Sequence, residues 1–145
     1  MPAPTGIPAL YLYPLNGSFA TKHIALLRNE RPVNLGRQIN ERSTPEEGNG
    51  IFDSKVLSRQ HASVWEEGGK IFIKDSKSSN GTFVNGERLS PEGIESDPYE
   101  LKSDDIVELG IDILGEDKNT IIHSKVAARV LCVLNEQDAR MAART

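Results

Sequence analysis

Along most of the chain, hydrophobic and polar residues alternate in short runs broken by Gly, Pro and Asn, the pattern of half-buried β-strands. Leu10–Leu15 (LYLYPL) and His23–Leu27 (HIALL) open the series. Pro14 puts the first run at a sheet edge or marks its end, because proline has no N–H for the ladder. Pro32–Gly36 is a third short run. The clearest hairpin follows: His61–Glu66 (HASVWE) and Lys70–Asp75 (KIFIKD) both alternate, with Glu67-Gly68-Gly69 as the turn. Gly81–Val84 and Glu87–Leu89 repeat the design around Asn85-Gly86, a pair suited to the positive φ angles of a type I′ turn. Asp105–Leu109 and Lys125–Leu134 complete the strands. The last is almost continuously apolar, as in a strand covered on both faces or a buried helix. Gln38–Gly50 and Leu89–Glu100 read as long polar loops. Asn135–Thr145, with Asn135 as N-cap and alanines behind it, reads as a short helix or a fraying end. Trp65, beside Val64, reads as core. Many short strands with Gly/Asn turns predict an all-β sandwich.

At 145 residues the chain is one domain's worth, set here at residues 9–134, with a flexible segment 1–8 before it and the tail 135–145 after it. No apolar run approaches the roughly 18–20 residues of a membrane span, and MPAPTGIPAL lacks the features of a signal peptide. One cysteine, Cys132, cannot make an internal disulfide. It reads as a small core residue of a protein in a reducing, intracellular compartment. With His23, His61 and His123 as the three histidines, no zinc-ligand spacing exists, and no metal or other cofactor is expected. Residues 1–86 carry ten basic and eight acidic side chains, whereas 87–118 carry three and eleven, a net −8. An acidic chain without a basic stripe is a poor nucleic-acid binder, so no nucleic-acid partner is expected. Any anion has to be gripped locally.

Three polar groups at strand ends can do that. Leu35-Gly36-Arg37 ends a short apolar run, Leu57-Ser58-Arg59-Gln60-His61 leads into the main hairpin, and Asp75 to Thr82 leads out of it. The start of one hairpin strand and the end of the other lie at the same end of the pair, so the second and third groups emerge together. Arg37 offers a bidentate fork to a phosphate. Ser58 and Ser79 offer hydroxyl donors, Arg59 and Lys55 add charge, and the Asn80 carboxamide can both donate to and accept from a peptide backbone.

Gly36-Arg37, Ser58-x-x-His61, Asn80-Gly81 and Asn85-Gly86, in this order and each at a strand mouth, resemble the signature of the forkhead-associated (FHA) domain over residues 9–134. The stretch from Phe52 to Ser90 further resembles the branch of scaffold subunits in striatin-interacting phosphatase and kinase complexes. The resemblance implies a sandwich of about eleven mainly antiparallel strands that reads phosphothreonine with loops at one end. By position, Arg37 and Ser58 would hold the phosphate, Arg59 and Ser79 would support it, and Asn80 would bond the ligand backbone. His61, Gly36, Gly81, Asn85 and Gly86 would be structural. Lys55 and Val56 would form the loop that reads flanking residues, where Val56 departs from the charged residue of some relatives. The family's preference for threonine over serine fits one buried methyl, about 0.8 kcal/mol, enlarged by preorganisation. The implied partner is a phosphothreonine-containing protein, a kinase or phosphatase-complex component. This domain itself would touch no membrane, and any membrane anchor of a cytoplasmic parent protein would lie in segments outside this chain.

Plainer readings stand beside these. Arg37 alone could pair with a surface carboxylate, Ser58 could be a cap, and Asn80-Gly81 could be only a turn. The acidic run 87–118 reads as a solvated face or as a docking surface for a basic protein. Ser58 and His61 as nucleophile and base make a weak enzyme case: residues three apart on a strand point to opposite faces, and no GxSxG, P-loop or HExxH motif is present. A third class is an assembly domain that ignores phosphorylation.

Overall fold

The computed structural model describes residues 6–27 and 30–144. In chain order these form β1 (Ala9–Pro14), β2 (Lys22–Ala25), β3 (Val33–Arg37), β4 (Ile51–Phe52), β5 (Ala62–Glu67), β6 (Lys70–Asp75) and β7 (Thr82–Val84). Then come β8 (Glu87–Arg88), β9 (Tyr99–Leu101), β10 (Ile106–Leu109), β11 (Ile113–Leu114), β12 (Ile121–His123), β13 (Val126–Val133) and α1 (Glu136–Ala142). One sheet has the order β2-β1-β13-β10-β7-β8 and the other β4-β3-β5-β6-β9, while β11 and β12 make a separate two-stranded ribbon. The two sheets hold eleven strands, and every pairing is antiparallel except β3 with β4.

Alternation decides which side chains meet between the sheets. Leu10, Leu12, Ile24, Val107, Leu109, Val126 and Val130 from one sheet pack with Leu35, Phe52, Val64, Ile71, Ile73 and Leu101 from the other. Each such apolar side chain contributes about 1.5–3 kcal/mol by leaving water. β13 lies inside its sheet between β1 and β10. Its second face is covered too: Val133 packs with Ala9, Ala139 and Ala142, which docks α1 on the sheet. That double cover is why this strand reads as a continuous apolar run. Asn135 caps the helix, accepting from Asp138 N–H at 2.8 Å, as its position suggested.

Several details differ from the sequence reading. β4 is too short to show a period, β9 sits behind Pro98 in a polar stretch, and the β11–β12 ribbon was not foreseen. Because Val64 takes the inward position, Trp65 faces outward, half-buried, and stacks on Phe72 with ring centroids 5.8 Å apart. It is not core. Residues 1–5 of the expected flexible segment lie outside the described residues. Ile7 and Pro8, however, are packed: Ile7 joins the α1 cluster and the Pro8 carbonyl accepts from Leu26 N–H at 2.7 Å. The Gln38–Gly50 loop is tied down by Lys22, whose buried ammonium donates to the Glu46 carbonyl at 2.7 Å and to Asn49 Oδ1 at 3.3 Å.

Candidate functional site

The register Ala62↔Asp75 brings residues 54–61 and 75–81 out at the same end of the β5–β6 hairpin, and β3 delivers Arg37 beside them. Gly36 makes that approach possible. A Cβ there would stand 1.9 Å from the Arg59 carbonyl oxygen, so only glycine lets β3 lie against the 53–60 loop. Across this contact Arg37 N–H donates to the Ser58 carbonyl at 3.1 Å, and His61 N–H donates to the Leu35 carbonyl at 3.0 Å.

His61, with no exposed surface, bridges two loops. Its Nδ1 accepts from Ser58 N–H at 3.1 Å and its Nε2 lies 2.7 Å from the Gly81 carbonyl, which fixes a neutral ring protonated on Nε2. Burial pushes its pKa below the usual imidazole value, opposed by the Gly81 carbonyl and by Asp75. Beneath the third loop, Asp75 is buried and fully used. Ser78 Oγ and Thr82 Oγ1 donate to its Oδ1 at 2.5 and 2.7 Å, and Ser78 N–H donates to its Oδ2 at 2.9 Å. Ser78 Oγ in turn accepts from Gly81 N–H at 3.0 Å. Arg88 reaches back from β8 and donates to the Ser90 and Ser79 carbonyls at 2.8 and 3.3 Å.

On this frame stand the outward-facing groups. Arg37, Lys55 and Arg59 line one cleft of about 380 Å³, together with Gln38, Ile39, Asp53 and Ser54. Among the described residues no hydrogen bond or ion pair holds any of these three cationic heads. Ser58, Ser79 and Asn80 are not in that lining but are tied to the loop that walls it. Ser58 Oγ accepts from Ser79 N–H at 3.3 Å, which leaves its own O–H to donate. Asn80 Nδ2 donates to the Val56 carbonyl at 2.9 Å, which leaves Oδ1 to accept.

Val56 is a correction: its side chain is 3% exposed, belongs to the core and packs on Gly110, so it cannot face a ligand. Of the Lys55-Val56 pair only Lys55 is exposed. Gly36 is not a turn residue but a point of close approach. Asn85 and Gly86 have φ of 51° and 87°, as a type I′ turn requires, and Asn85 also bonds Asp105 Oδ1 and Ile106 N–H. Asp75, Ser78, Thr82 and Arg88 received no role from the sequence. The signal for the first two was an acid three residues before a serine in a turn-rich run, a local side chain to backbone motif.

A two-sheet sandwich with a histidine-braced cationic loop cluster at one end is the architecture of a recognition domain. The FHA domain model matches residues 33–110, and the chain belongs to the FHA domain family. FHA domains are phosphothreonine-peptide binding modules and not a family of enzymes. Among relatives, an uncharacterized protein of Schizosaccharomyces pombe is 47% identical over 85% of this chain and 40% of its own length. The sarcolemmal membrane-associated protein of Homo sapiens is 36% identical over 95% of this chain and 16% of its own. The chain therefore spans two fifths or less of these relatives. In fold it is similar to an N-terminal FHA domain from S. cerevisiae in complex with a phosphothreonine peptide. That match has a TM-score of 0.58 and 16% identity, and covers 92% of this chain and 98% of the other. Among the described residues no helix is long and apolar enough to cross a membrane.

Proposed function

We propose that this chain binds a phosphothreonine-containing protein through Arg37, Ser58, Arg59 and Ser79 and recruits it into a signalling scaffold. The observation that carries this reading is the cleft itself: Arg37, Lys55 and Arg59 together, with no carboxylate paired to any of them among the described residues. Three cations face the cleft against one carboxylate, Asp53, which pairs with none of them, so a net positive charge is left for an arriving dianion to neutralise. A phosphothreonine brings a charge of about −1.5 to −2 at neutral pH and three acceptor oxygens. Arg37 supplies the fork, Ser58 O–H a neutral donor, and Arg59 and Ser79 support from either side. Asn80, steadied by the Val56 carbonyl, takes a ligand backbone N–H with its free Oδ1. Lys55 reads an acidic neighbour of the phosphothreonine.

The partner is a component of a kinase or phosphatase complex, and the domain works in the cytoplasm without a cofactor. Similarity to proteins named sarcolemmal membrane-associated supports a membrane-associated parent, held there by segments other than this one. The test is titration calorimetry with a phosphothreonine peptide and its unphosphorylated twin, repeated on Arg37→Ala. The phosphopeptide is expected to bind at about micromolar Kd, near −8 kcal/mol. Equal affinity for both peptides would instead support a domain that assembles without regard to phosphorylation.

A further inference from the structure

Away from the cleft, the exposed apolar side chains are not evenly spread. Five of the large ones fall within twelve residues on and beside the β11–β12 ribbon: Ile111 (44% exposed), Ile113 (37%), Leu114 (47%), Ile121 (50%) and Ile122 (57%). Isolated apolar residues on a surface are ordinary, whereas here Leu114 and Ile121 are register partners and share one face of the ribbon, and such concentrations are a feature of contact sites. The ribbon belongs to neither sheet, so its outer edges keep unpaired backbone N–H and C=O groups.

It is nonetheless a built element. At its tip Gly115 N–H donates to the Thr120 carbonyl at 2.8 Å, and Asp117 accepts from Asn119 N–H, Thr120 N–H and Thr120 Oγ1. At its root Asp112 Oδ1 accepts from Lys125 N–H at 3.0 Å. A further cleft of about 380 Å³ opens there, lined by Phe83, Gly86, Glu108, Gly110, Ile111, Asp112 and Lys125.

Charge selects the occupant. Lys125 is shared between Glu108, with which it pairs, and Asp112, and Lys118 faces Glu116 and Asp117 at the tip, so carboxylates outnumber cations at both ends of the ribbon. The turn bonds hold the Asp117 carboxyl at about 2, so it is anionic at any physiological pH. β11 and the turn as far as Lys118 also belong to the 87–118 run of net −8. A second copy packed ribbon to ribbon would bring like charges together, and an anionic lipid surface would be repelled. We infer that the β11–β12 ribbon and the cleft at its root form a second docking surface, for a protein segment that is apolar on one face and basic on the other.

The experiment uses three synthetic peptides of equal length, alternating Leu-Lys, Leu-Glu and Ser-Lys, followed by amide shift mapping on the intact chain. The Leu-Lys peptide is expected to shift amides of residues 83–86 and 108–125. The Leu-Glu and Ser-Lys peptides should do so at least tenfold more weakly. I113S/I122S should lower Leu-Lys affinity tenfold while phosphothreonine-peptide binding stays unchanged, and E116K, a charge reversal at an exposed position, should lower it severalfold. Shifts outside the ribbon, equal binding of the acidic peptide, or unaltered affinity in both variants would overturn the inference. So would a dimer in ultracentrifugation that I113S/I122S abolishes, which would assign the surface to a second copy. Sedimentation of the chain with phosphatidylcholine vesicles would assign it to lipid.

Discussion

The loop cluster has two layers that follow opposite rules. In the inner layer His61, Asp75, Ser78 and Thr82 are buried and their polar side chains are bonded within the protein. In the outer layer the heads of Arg37, Lys55 and Arg59 face a cleft and are bonded to nothing among the described residues. The inner groups have given up water for fixed protein partners, so they hold the fold and have no capacity left for a ligand. The outer cations keep their donors in reserve, so they add little to stability and are available for binding. The consequence is that substitutions should split cleanly between stability and affinity.

Asp75→Ala is the strongest way to break that division. It removes an acceptor of three hydrogen bonds and orphans the hydroxyls of Ser78 and Thr82 in the interior. A loss of about 4 kcal/mol in stability is expected from bonds to a buried charge, read by urea unfolding. Arg37→Ala comes next. Binding of the phosphopeptide should fall by about 3 kcal/mol, more than a hundredfold, while the stability read by urea unfolding stays within about 0.5 kcal/mol of the parent. A large drop in stability with Arg37→Ala would mean that this arginine belongs to the inner layer.

Acidification sharpens the comparison through His61. Its folded pKa is lowered, chiefly by burial, so below the unfolded value the unfolded chain binds the extra proton and the folded chain does not. Stability contributed by the neutral ring is therefore complete above about pH 6.5 and is lost as pH falls below it, at no more than about 1.4 kcal/mol per pH unit. Thermal melts of the unliganded domain from pH 7.5 to 5 should show this slope, and His61→Ala should flatten it. Protonation would also take the acceptor from Ser58 N–H, so loop order and stability decline together. The smallest effect belongs to Lys55→Ala. An exposed cation on the cleft wall should change affinity by about two- to threefold for a ligand with an acidic flanking residue, with no change in melting. No dependence on the flanking residue would remove Lys55 from the recognition surface.

How legible each part was depends on how local its cause is. The β5–β6 hairpin, the Asn85-Gly86 turn and the Asn135 cap were readable because alternation, a turn dipeptide and a helix start each act within a few residues. Arg37, Ser58 and Asn80 were identifiable as candidates because they sit at strand ends in a recognisable order. Val56 was misassigned and Trp65 misplaced for the same reason. Neighbourhood in the chain does not tell which side of a short irregular loop, or which face of a two-faced sheet, turns toward the core.

Sequence alone therefore determined the strand periodicity, the turn positions, the acidic run 87–118 and the set of donors able to meet an oxyanion. These follow from backbone sterics and side-chain chemistry at each position. Only the tertiary structure decided that Gly36 lets β3 touch the 53–60 loop, that His61 joins Ser58 to Gly81, and that Arg37, Lys55 and Arg59 share one cleft. Only it raised Ile113, Leu114, Ile121 and Ile122 on a ribbon outside both sheets. The physical reason is that contacts between residues twenty or more apart arise when two sheets close over a common core. No local pattern encodes which loops that closure brings together.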